Sequence, residues 1–217
     1  MWLFFDARYL KKIKEGDLRR IVLGNTEMPL FKERLGILRE IGLTLVEKFD
    51  GDFRKVLDIS HSDVIKLLNL ILSNFPSFDD VSEYKGRNVA FYKRAQLLIS
   101  DIGLIFDGEG YGKFTNLSQL TAFADYKIPQ ILRKEGILLY RQELAEGIDD
   151  NIQIPKGSKA EVEIRANTIW AVELIKQRLR SAYPDINSDE IDYFLWLKGN
   201  KKSPNDKPYH LTRTTAY

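Results

Sequence analysis

Hydrophobic side chains recur at helical spacing along most of this chain, and the alternation typical of strands is weak throughout. The clearest period, about 3.6 residues, runs from Phe31 to Phe49. It predicts an amphipathic helix that starts at Pro29 and ends near Lys48. The pattern as a whole predicts an all-α fold with little or no sheet, organised as a single globular domain over residues 1–217.

Start and stop signals predict further helices. The clearest is the capping box Ser-Lys-Ala-Glu at 158–161, which predicts a long helix to about Arg180. Asn187 caps the last predicted helix, which places Phe194 inward and ends at Gly199. The remaining helices are predicted over about 18–24, 62–71, 90–105, 117–126, 129–136 and 137–144.

Lys93 is the first candidate functional residue. With Gln96 and Ser100 it forms a narrow polar stripe along an otherwise apolar helix. A surface helix has a broad polar face, so this pattern predicts a buried helix whose stripe faces other polar groups. A lysine in such a position is normally paired or has a functional reason to be there.

Asp125 is the second candidate. A capping-box variant at 116–119 starts its predicted helix, and the proline after Ile128 ends that helix near Tyr126. Asp125 then falls in the last turn, where the helix dipole disfavours a carboxylate. A broken local rule is where a functional site is expected. The alternative is an ordinary ion pair with Arg94, Lys127 or Arg133.

Composition excludes several kinds of chemistry. The 217 residues contain no cysteine, which excludes disulfides, thiol catalysis and cysteine-ligated zinc, and the two histidines do not favour a metal site. The glycine-rich string at 108–112 lacks the GxGxxG spacing and follows a predicted helix, so it indicates a connection and not a nucleotide-binding loop. We therefore expect neither a cofactor nor a bound metal.

Charge and hydropathy set expectations about partners and location. The net charge of +2 is too small to indicate a nucleic-acid or membrane surface. No apolar run reaches the roughly 20 residues that cross a bilayer. The opening residues do not have the pattern of a signal peptide, so we expect a cytoplasmic protein. The oligomeric state stays open.

The C-terminal residues 200–217 show no periodicity and are typical of a frayed tail. Their chemistry suggests more. From Lys198 onward there are five basic side chains and one acidic one, together with hydroxyls, His210 and aromatic rings. Such a set can hold a phosphate through charge-assisted hydrogen bonds. We therefore expect this tail to fold onto the site.

Seven short strings along the chain together resemble the queuosine salvage protein family, and their order and spacing agree from about residue 17 onward. They are PLFKER at 29–34, FPSFDD at 75–80, FYKRAQ at 91–96, FADYKIPQ at 123–130, EIR at 163–165, IDYFLW at 191–196 and PYHLTR at 208–213.

The resemblance implies a helical fold of the kind compared with helix-hairpin-helix DNA glycosylases. It implies hydrolysis of the N-glycosidic bond of queuosine 5'-phosphate, which releases the 7-deazaguanine base queuine for reuse in transfer RNA. The active-site lysine and aspartate of the family fall on Lys93 and Asp125. Members of that family usually carry an additional N-terminal segment, which includes part of the pocket wall.

Further residues are candidates for binding such a nucleotide. His210 and Arg213 are candidates for the 5'-phosphate, and Trp196 for stacking on the base, although core packing is an alternative for any single aromatic. Glu163 and Arg165 form either a buried ion pair that supports the site or a surface pair. The complete set of expected substrate-binding residues is Arg94, Tyr126, Glu163, Arg165, Trp196, His210 and Arg213.

Two other classes of function stay open at this point. One is a nucleic-acid-binding or base-excision protein, which the compared fold allows but the low net charge does not favour. The other is a non-catalytic helical remnant or interaction module. The aromatic N-terminal segment, residues 1–24, either closes the site or contacts a partner surface.

Overall fold

The computed structural model describes residues 6–22, 28–201 and 206–217. Within these ranges the chain is mostly helical, as predicted, and no helix is long and apolar enough to cross a membrane. The helices are α1 (Ala7–Leu10), α2 (Glu15–Ile21), α3 (Phe31–Lys48), α4 (Arg54–Ser60), α5 (Val64–Asn74), α6 (Lys93–Ile105), α7 (Lys127–Lys134), α8 (Gln142–Asp149), α9 (Lys159–Leu179) and α10 (Ser188–Gly199).

A small hairpin interrupts the helices. Strands β1 (Val81–Tyr84) and β2 (Arg87–Ala90) pair antiparallel, with Val81 opposite Ala90. The loop between them is Lys85-Gly86, and both residues have positive φ, 51° and 75°. Such a two-residue loop matches the twist of the flanking strands, which is why a hairpin forms from two such short segments.

The chain divides into two compact units. The first comprises Met1–Asp79 and Ile102–Thr115, and the second comprises Asp80–Asp101 and Asn116–Tyr217. Every candidate site residue lies in the second unit.

In the first unit, α1 lies directly on α3. One core cluster consists of Ile13, Leu18, Phe31 and Leu35. Gly42 of α3 is the point of closest approach, because a β-carbon there would overlap the backbone nitrogen of Lys11 and lie 2.7 Å from the carbonyl oxygen of Ala7. Backbone atoms cannot move aside as a flexible side chain can, so this glycine is required by the packing.

Gly42→Ala is therefore expected to lower the free energy of unfolding by about 2–3 kcal/mol through overpacking. Gly36→Ala on the same helix is the matched control, since a β-carbon there meets nothing within 4 Å. The control should instead raise the free energy of unfolding by about 0.5–1 kcal/mol, the usual difference between alanine and glycine in a helix. Urea unfolding measures both, and similar effects of the two substitutions would contradict the described contact.

In the second unit, α7, α9 and α10 pack around one apolar core. Its buried residues are Ala122, Ile128, Ile131, Leu132, Leu138, Ala171, Val172, Ile191 and Leu195. The helix predicted from Pro29 to about Lys48 is confirmed as α3, although it starts at Phe31, and the helix predicted after Ser158 to about Arg180 is confirmed as α9. The capping box at Asn187 is also confirmed. Phe194 was predicted to point inward, but it is 64% exposed to solvent, so that prediction is wrong.

Two predicted helices are wrong. Residues 117–126 form a 3₁₀ turn, Leu117–Gln119, followed by extended chain. Side chains from other elements satisfy the backbone of that extended chain, so helical hydrogen bonds are not needed. Residues 137–141 are not helical either, because the N–H groups of Ile137 and Leu138 both donate to the carbonyl of Leu132 and close α7.

The segment before α5 also differs from the prediction. Helix α4 was not predicted, and the cap of α5 is Asp63, whose carboxylate accepts the N–H of Lys66 at 2.8 Å. The predicted caps, Ser62 or Ser60, are wrong, because Ser62 has positive φ and Ser60 is the last residue of α4.

Candidate functional site

Asp125 lies at the start of α7. The sequence predicted it in the last turn of a preceding helix, and that prediction is wrong. Its Oδ1 accepts hydrogen bonds from the backbone N–H groups of Lys127, at 2.7 Å, and Ile128, at 3.0 Å. Pro129 is the third residue of α7. A proline is tolerated there because the first N–H groups of a helix have no partner within the helix.

This placement reverses the electrostatic interpretation of Asp125. The positive end of the helix dipole favours a carboxylate at the start of α7. Burial raises the pKa of Asp125, whereas the N–H of Ile128 and the ammonium of Lys93 act in the opposite direction. The net shift is upward, and Asp125 is a partly buried carboxyl group that lies close to a cation.

Lys93 is the first residue of α6, and Asp80 fixes the backbone that leads into it. The carbonyl of Asp80 accepts the N–H of Phe91 at 2.9 Å, and its Oδ2 accepts the N–H of Lys93 at 3.3 Å. Burial raises the pKa of the carboxyl groups of Asp101, Asp125 and Asp192, and the charge of the Lys93 ammonium opposes that rise in all three. Lys93 therefore stands among several acidic side chains of the same unit.

The rest of the predicted polar stripe also faces polar groups. Gln96 is buried, and its amide donates to the carbonyl of Phe91 and accepts the N–H of Thr121 at 2.8 Å. The hydroxyl of Ser100 donates to Asp189 at 3.1 Å. The end of α6 is less buried than predicted, since Ile105 is 76% exposed.

Arg165 is the centre of a buried ionic network that connects both candidates. Its guanidinium donates to both carboxylate oxygens of Asp80, at 3.0 and 2.5 Å, and to Glu161 at 3.4 Å. Its Nε donates to the carbonyl of Ala124 at 2.9 Å, directly before Asp125. Asp80 holds the backbone of Lys93, so one guanidinium fixes the chain on both sides of the candidate pair.

The partners of this network differ from the prediction. Glu163 accepts the hydroxyl of Tyr84 at 2.5 Å, and the expected Glu163–Arg165 pair is not formed. Instead, Glu161, four residues before Arg165, is fully buried and pairs with it at 3.4 Å. Sequence reasoning missed Asp80, because its pairing with Arg165 joins positions 85 apart.

Asp192 of α10 is a second missed residue. It is buried, and its Oδ2 accepts the N–H of Phe123 at 2.8 Å, two residues before Asp125. Burial raises the pKa of Asp192 to about 8, and the charge of Asp125 adds to the shift. Burial also raises the pKa of Asp189, one turn earlier on α10. The only available signal was the string at 191–196, in which Trp196 was the expected site residue.

The C-terminal residues 206–217 pack along the second unit. The N–H of Ile154 donates to the carbonyl of Leu211 at 2.7 Å, and Gln130 donates to the carbonyl of Lys207 at 2.6 Å. Arg94 donates to the carbonyl of Thr215 at 3.3 Å. The ring of Tyr217 lies 4.4 Å from the Arg165 guanidinium, so the end of the tail covers the ionic network.

His210 belongs to this packed tail. It is 3% exposed, and its Nε2 lies 3.4 Å from the hydroxyl of Tyr217. Burial lowers the pKa of His210 to about 4, and the positive charge of Arg165 adds to the shift. The imidazole is therefore neutral at pH 7.

A pH dependence of stability follows from His210. Between about pH 4 and 6.5 the unfolded chain binds a proton at His210 that the folded chain does not, so the free energy of unfolding falls as the pH falls. The contribution is at most about 3 kcal/mol. Asp192 acts in the opposite direction, so the difference between wild type and His210→Asn isolates it. Urea unfolding from pH 4 to 7 should give a difference that varies with pH, and a constant difference would contradict the buried neutral ring.

The other candidates are exposed or partly exposed. Tyr126 is 41% exposed and its ring lies 4.7 Å from that of Tyr209. Trp196 is 43% exposed and stacks on Tyr193 at 6.3 Å. Arg213 is exposed, and no carboxylate of the described ranges forms an ion pair with it. These groups are accessible to a ligand.

The first unit has a cleft of its own, and none of the candidate residues line it. Its lining residues are Leu57, Asp58, Ser60, His61, Ser62, Gly110, Tyr111 and Phe114. In the described part of the chain, no three histidine or carboxylate side chains are grouped so as to hold a metal ion.

The described residues thus define a mostly helical protein whose second unit holds an ammonium group beside several carboxyl groups. The chain belongs to the queuosine salvage protein family, whose model matches residues 3–217. The family that the seven sequence strings indicated is confirmed.

Several curated relatives are named queuosine 5'-phosphate N-glycosylase/hydrolase. One from Sphaerobacter thermophilus is 43% identical over 212 residues, which is 98% of this chain and 66% of the relative. One from Mus musculus is 39% identical over 223 residues, and one from Bos taurus is 37% identical over 224, with the same coverage of each chain. The chain thus spans about two thirds of the length of these relatives.

Proposed function

We propose that this chain hydrolyses the N-glycosidic bond of queuosine 5'-phosphate and releases queuine. The observation that carries the proposal is the Asp125 carboxyl at the start of α7 with the Lys93 ammonium near it. It is supported by the names of the relatives, which state this substrate and this bond type.

Asp125 would stabilise the positive charge that develops on the ribose. Cleavage of an N-glycosidic bond passes through an oxocarbenium-like sugar, and a carboxylate close to it lowers the barrier by electrostatic attraction. Asp125 Oδ1 is held by two backbone N–H groups, which orients the carboxylate before the substrate arrives. The same group would accept a proton from the attacking water.

The leaving base makes sugar-side electrostatics more important. A 7-deazapurine has a carbon where purines have N7, so it cannot be activated by protonation at that position. Lys93 would favour the ionised form of Asp125 and would contact the ribose or the phosphate. The network of Arg165 would fix the chain on both sides of this pair.

The accessible groups would hold the rest of the nucleotide. Arg213 is our candidate for the 5'-phosphate, whereas His210, which is buried and neutral at pH 7, would serve phosphate binding by fixing the tail. Trp196 or Tyr126 would stack on the flat base, since both residues are partly exposed to solvent. Arg94 and Glu163 would support these contacts through Thr215 and Tyr84.

A comparison of substrates tests the proposed activity. Queuosine 5'-phosphate, queuosine and guanosine 5'-monophosphate are incubated separately with the protein, and free base is measured by chromatography. We expect the highest kcat/KM for queuosine 5'-phosphate. A kcat/KM for guanosine 5'-monophosphate equal to that for queuosine 5'-phosphate would contradict specificity for the queuine base. A kcat/KM for queuosine equal to that for queuosine 5'-phosphate would contradict a role of the phosphate in binding.

Other features of the proposal rest on the sequence. They are the cytoplasmic location, the organisation as one functional domain, and the likeness to helix-hairpin-helix DNA glycosylases. A base-excision activity would instead give binding to DNA or transfer RNA with a steep salt dependence. We expect no such binding, because the net charge is +2.

A further inference from the structure

We propose that Asp192 is a second catalytic residue, which donates a proton to the departing base while Asp125 serves the sugar and the attacking water. This inference rests on the proposed glycosidase function and adds a residue to it. Asp192 was not among the candidates from the sequence.

The position of Asp192 supports this role. Its Oδ2 is fixed by the N–H of Phe123 at 2.8 Å, on the same extended segment that leads to Asp125. Its Oδ1 makes no hydrogen bond to any residue of the described ranges, and it is not sealed from solvent. One oxygen is therefore anchored and the other is available to a ligand.

The surroundings of Asp192 disfavour its ionised form. The charged groups that act on it are Asp125 before α7, Asp189 on α10 and Lys93 on α6. Two of these three are acidic, and burial adds to their effect. On α9, Lys176 pairs with Glu173 at 2.6 Å and donates to Ser188, so that ammonium is already neutralised within its own pair.

The environments of Asp125 and Asp192 suit the two carboxyl groups to different tasks. Lys93 acts on both groups, but Asp125 accepts two backbone N–H groups, whereas Asp192 accepts one and has two carboxyl neighbours. Burial raises the pKa of Asp192 to about 8, so this carboxyl is protonated at neutral pH. Neighbouring carboxyls in unlike environments are the usual source of an acid and a base in one site.

The C1'–N9 bond breaks and its electron pair goes to the base, which takes the proton of Asp192 at a ring nitrogen or the carbonyl oxygen. Water adds to C1' and gives its proton to Asp125. Transfer of that proton from Asp125 to Asp192 through solvent restores both groups. The products are the neutral base and ribose 5-phosphate.

Asp192→Asn separates proton donation from the structural role. The asparagine Oδ1 still accepts the N–H of Phe123 and has nearly the same size, but it carries no acidic proton. Asp189→Asn is the matched control, since it changes a buried carboxyl one turn earlier on the same helix. Circular dichroism and urea unfolding establish that both variants fold.

The decisive measurement compares two leaving groups. The first substrate is queuosine 5'-phosphate and the second is 4-nitrophenyl ribofuranoside 5-phosphate, whose phenolate departs without a proton. We expect Asp192→Asn to lose about 10²-fold or more in kcat on the first substrate. On the second it should stay within a few-fold of wild type. Asp189→Asn should stay within a few-fold of wild type on both.

The pH profile gives a second readout that a structural role would not move. Wild-type kcat/KM on queuosine 5'-phosphate should fall above about pH 8 as Asp192 ionises, and Asp192→Asn should lack this alkaline limb.

Each remaining outcome counts against a specific claim. An active wild type with an unimpaired Asp192→Asn, or an equal loss on both leaving groups, overturns the role of Asp192 and leaves the proposed function intact. A folded wild type that releases neither queuine from the first substrate nor 4-nitrophenolate from the second overturns both proposals.

Discussion

Arg165→Met is expected to lower the free energy of unfolding by about 3–5 kcal/mol, the usual cost of breaking a buried ion pair by removal of one partner. The substitution leaves Asp80 and Glu161 as uncompensated carboxyls, and both are almost fully buried. It also leaves the carbonyl of Ala124 without its guanidinium donor. The loss therefore combines burial of charge with the loss of several hydrogen bonds.

Urea unfolding at pH 7 measures this effect, with two comparison variants. Arg165→Lys keeps the charge but cannot form the two-pronged contact with Asp80, so we expect it to be destabilised as well. Arg20→Met removes an arginine whose side chain is 79% exposed and should have no measurable effect. A cost below about 1 kcal/mol for Arg165→Met would contradict the buried network.

Asp125→Asn is expected to lower kcat/KM for release of queuine by about 10³-fold, within the range for a group that acts on charge in the transition state. Asparagine keeps an oxygen that accepts the N–H groups of Lys127 and Ile128, so the start of α7 should stay intact. The variant therefore removes the charge and the proton acceptor while the fold is retained.

Asp101→Asn is the control for this second prediction. Asp101 is exposed and is another carboxyl close to Lys93, so its removal changes the charge around that ammonium without touching α7. We expect it to retain nearly full activity. Retention of more than about a tenth of the wild-type kcat/KM by Asp125→Asn would remove Asp125 as the key carboxylate.

Local sequence signals predicted the elements that depend on local physics. The long period from Phe31 predicted α3, and the capping boxes at Ser158 and Asn187 predicted the starts of α9 and α10. The polar stripe on α6 was correct because buried Gln96 and partly buried Lys93 and Ser100 all face polar groups. Each of these features can be read from one short segment.

Features that depend on distant partners could not be predicted in the same way. Asp80 pairs with Arg165 and Asp192 with Phe123, across 85 and 69 positions, and nothing in the local sequence indicates either contact. Pro129 illustrates a different failure. A proline can end one helix or occupy the first turn of the next, and the choice depended on the carboxylate of Asp125 at its start.

Product analysis tests the central claim most directly. The purified 217-residue chain is incubated with queuosine 5'-phosphate, and free queuine and ribose 5-phosphate are quantified together by mass spectrometry, beside folded Asp125→Asn. Equal amounts of the two products from the wild type, with little of either from the variant, are the predicted result. A folded wild type that releases neither product, or a variant that releases both at the wild-type rate, would contradict the role assigned to Asp125 and Lys93.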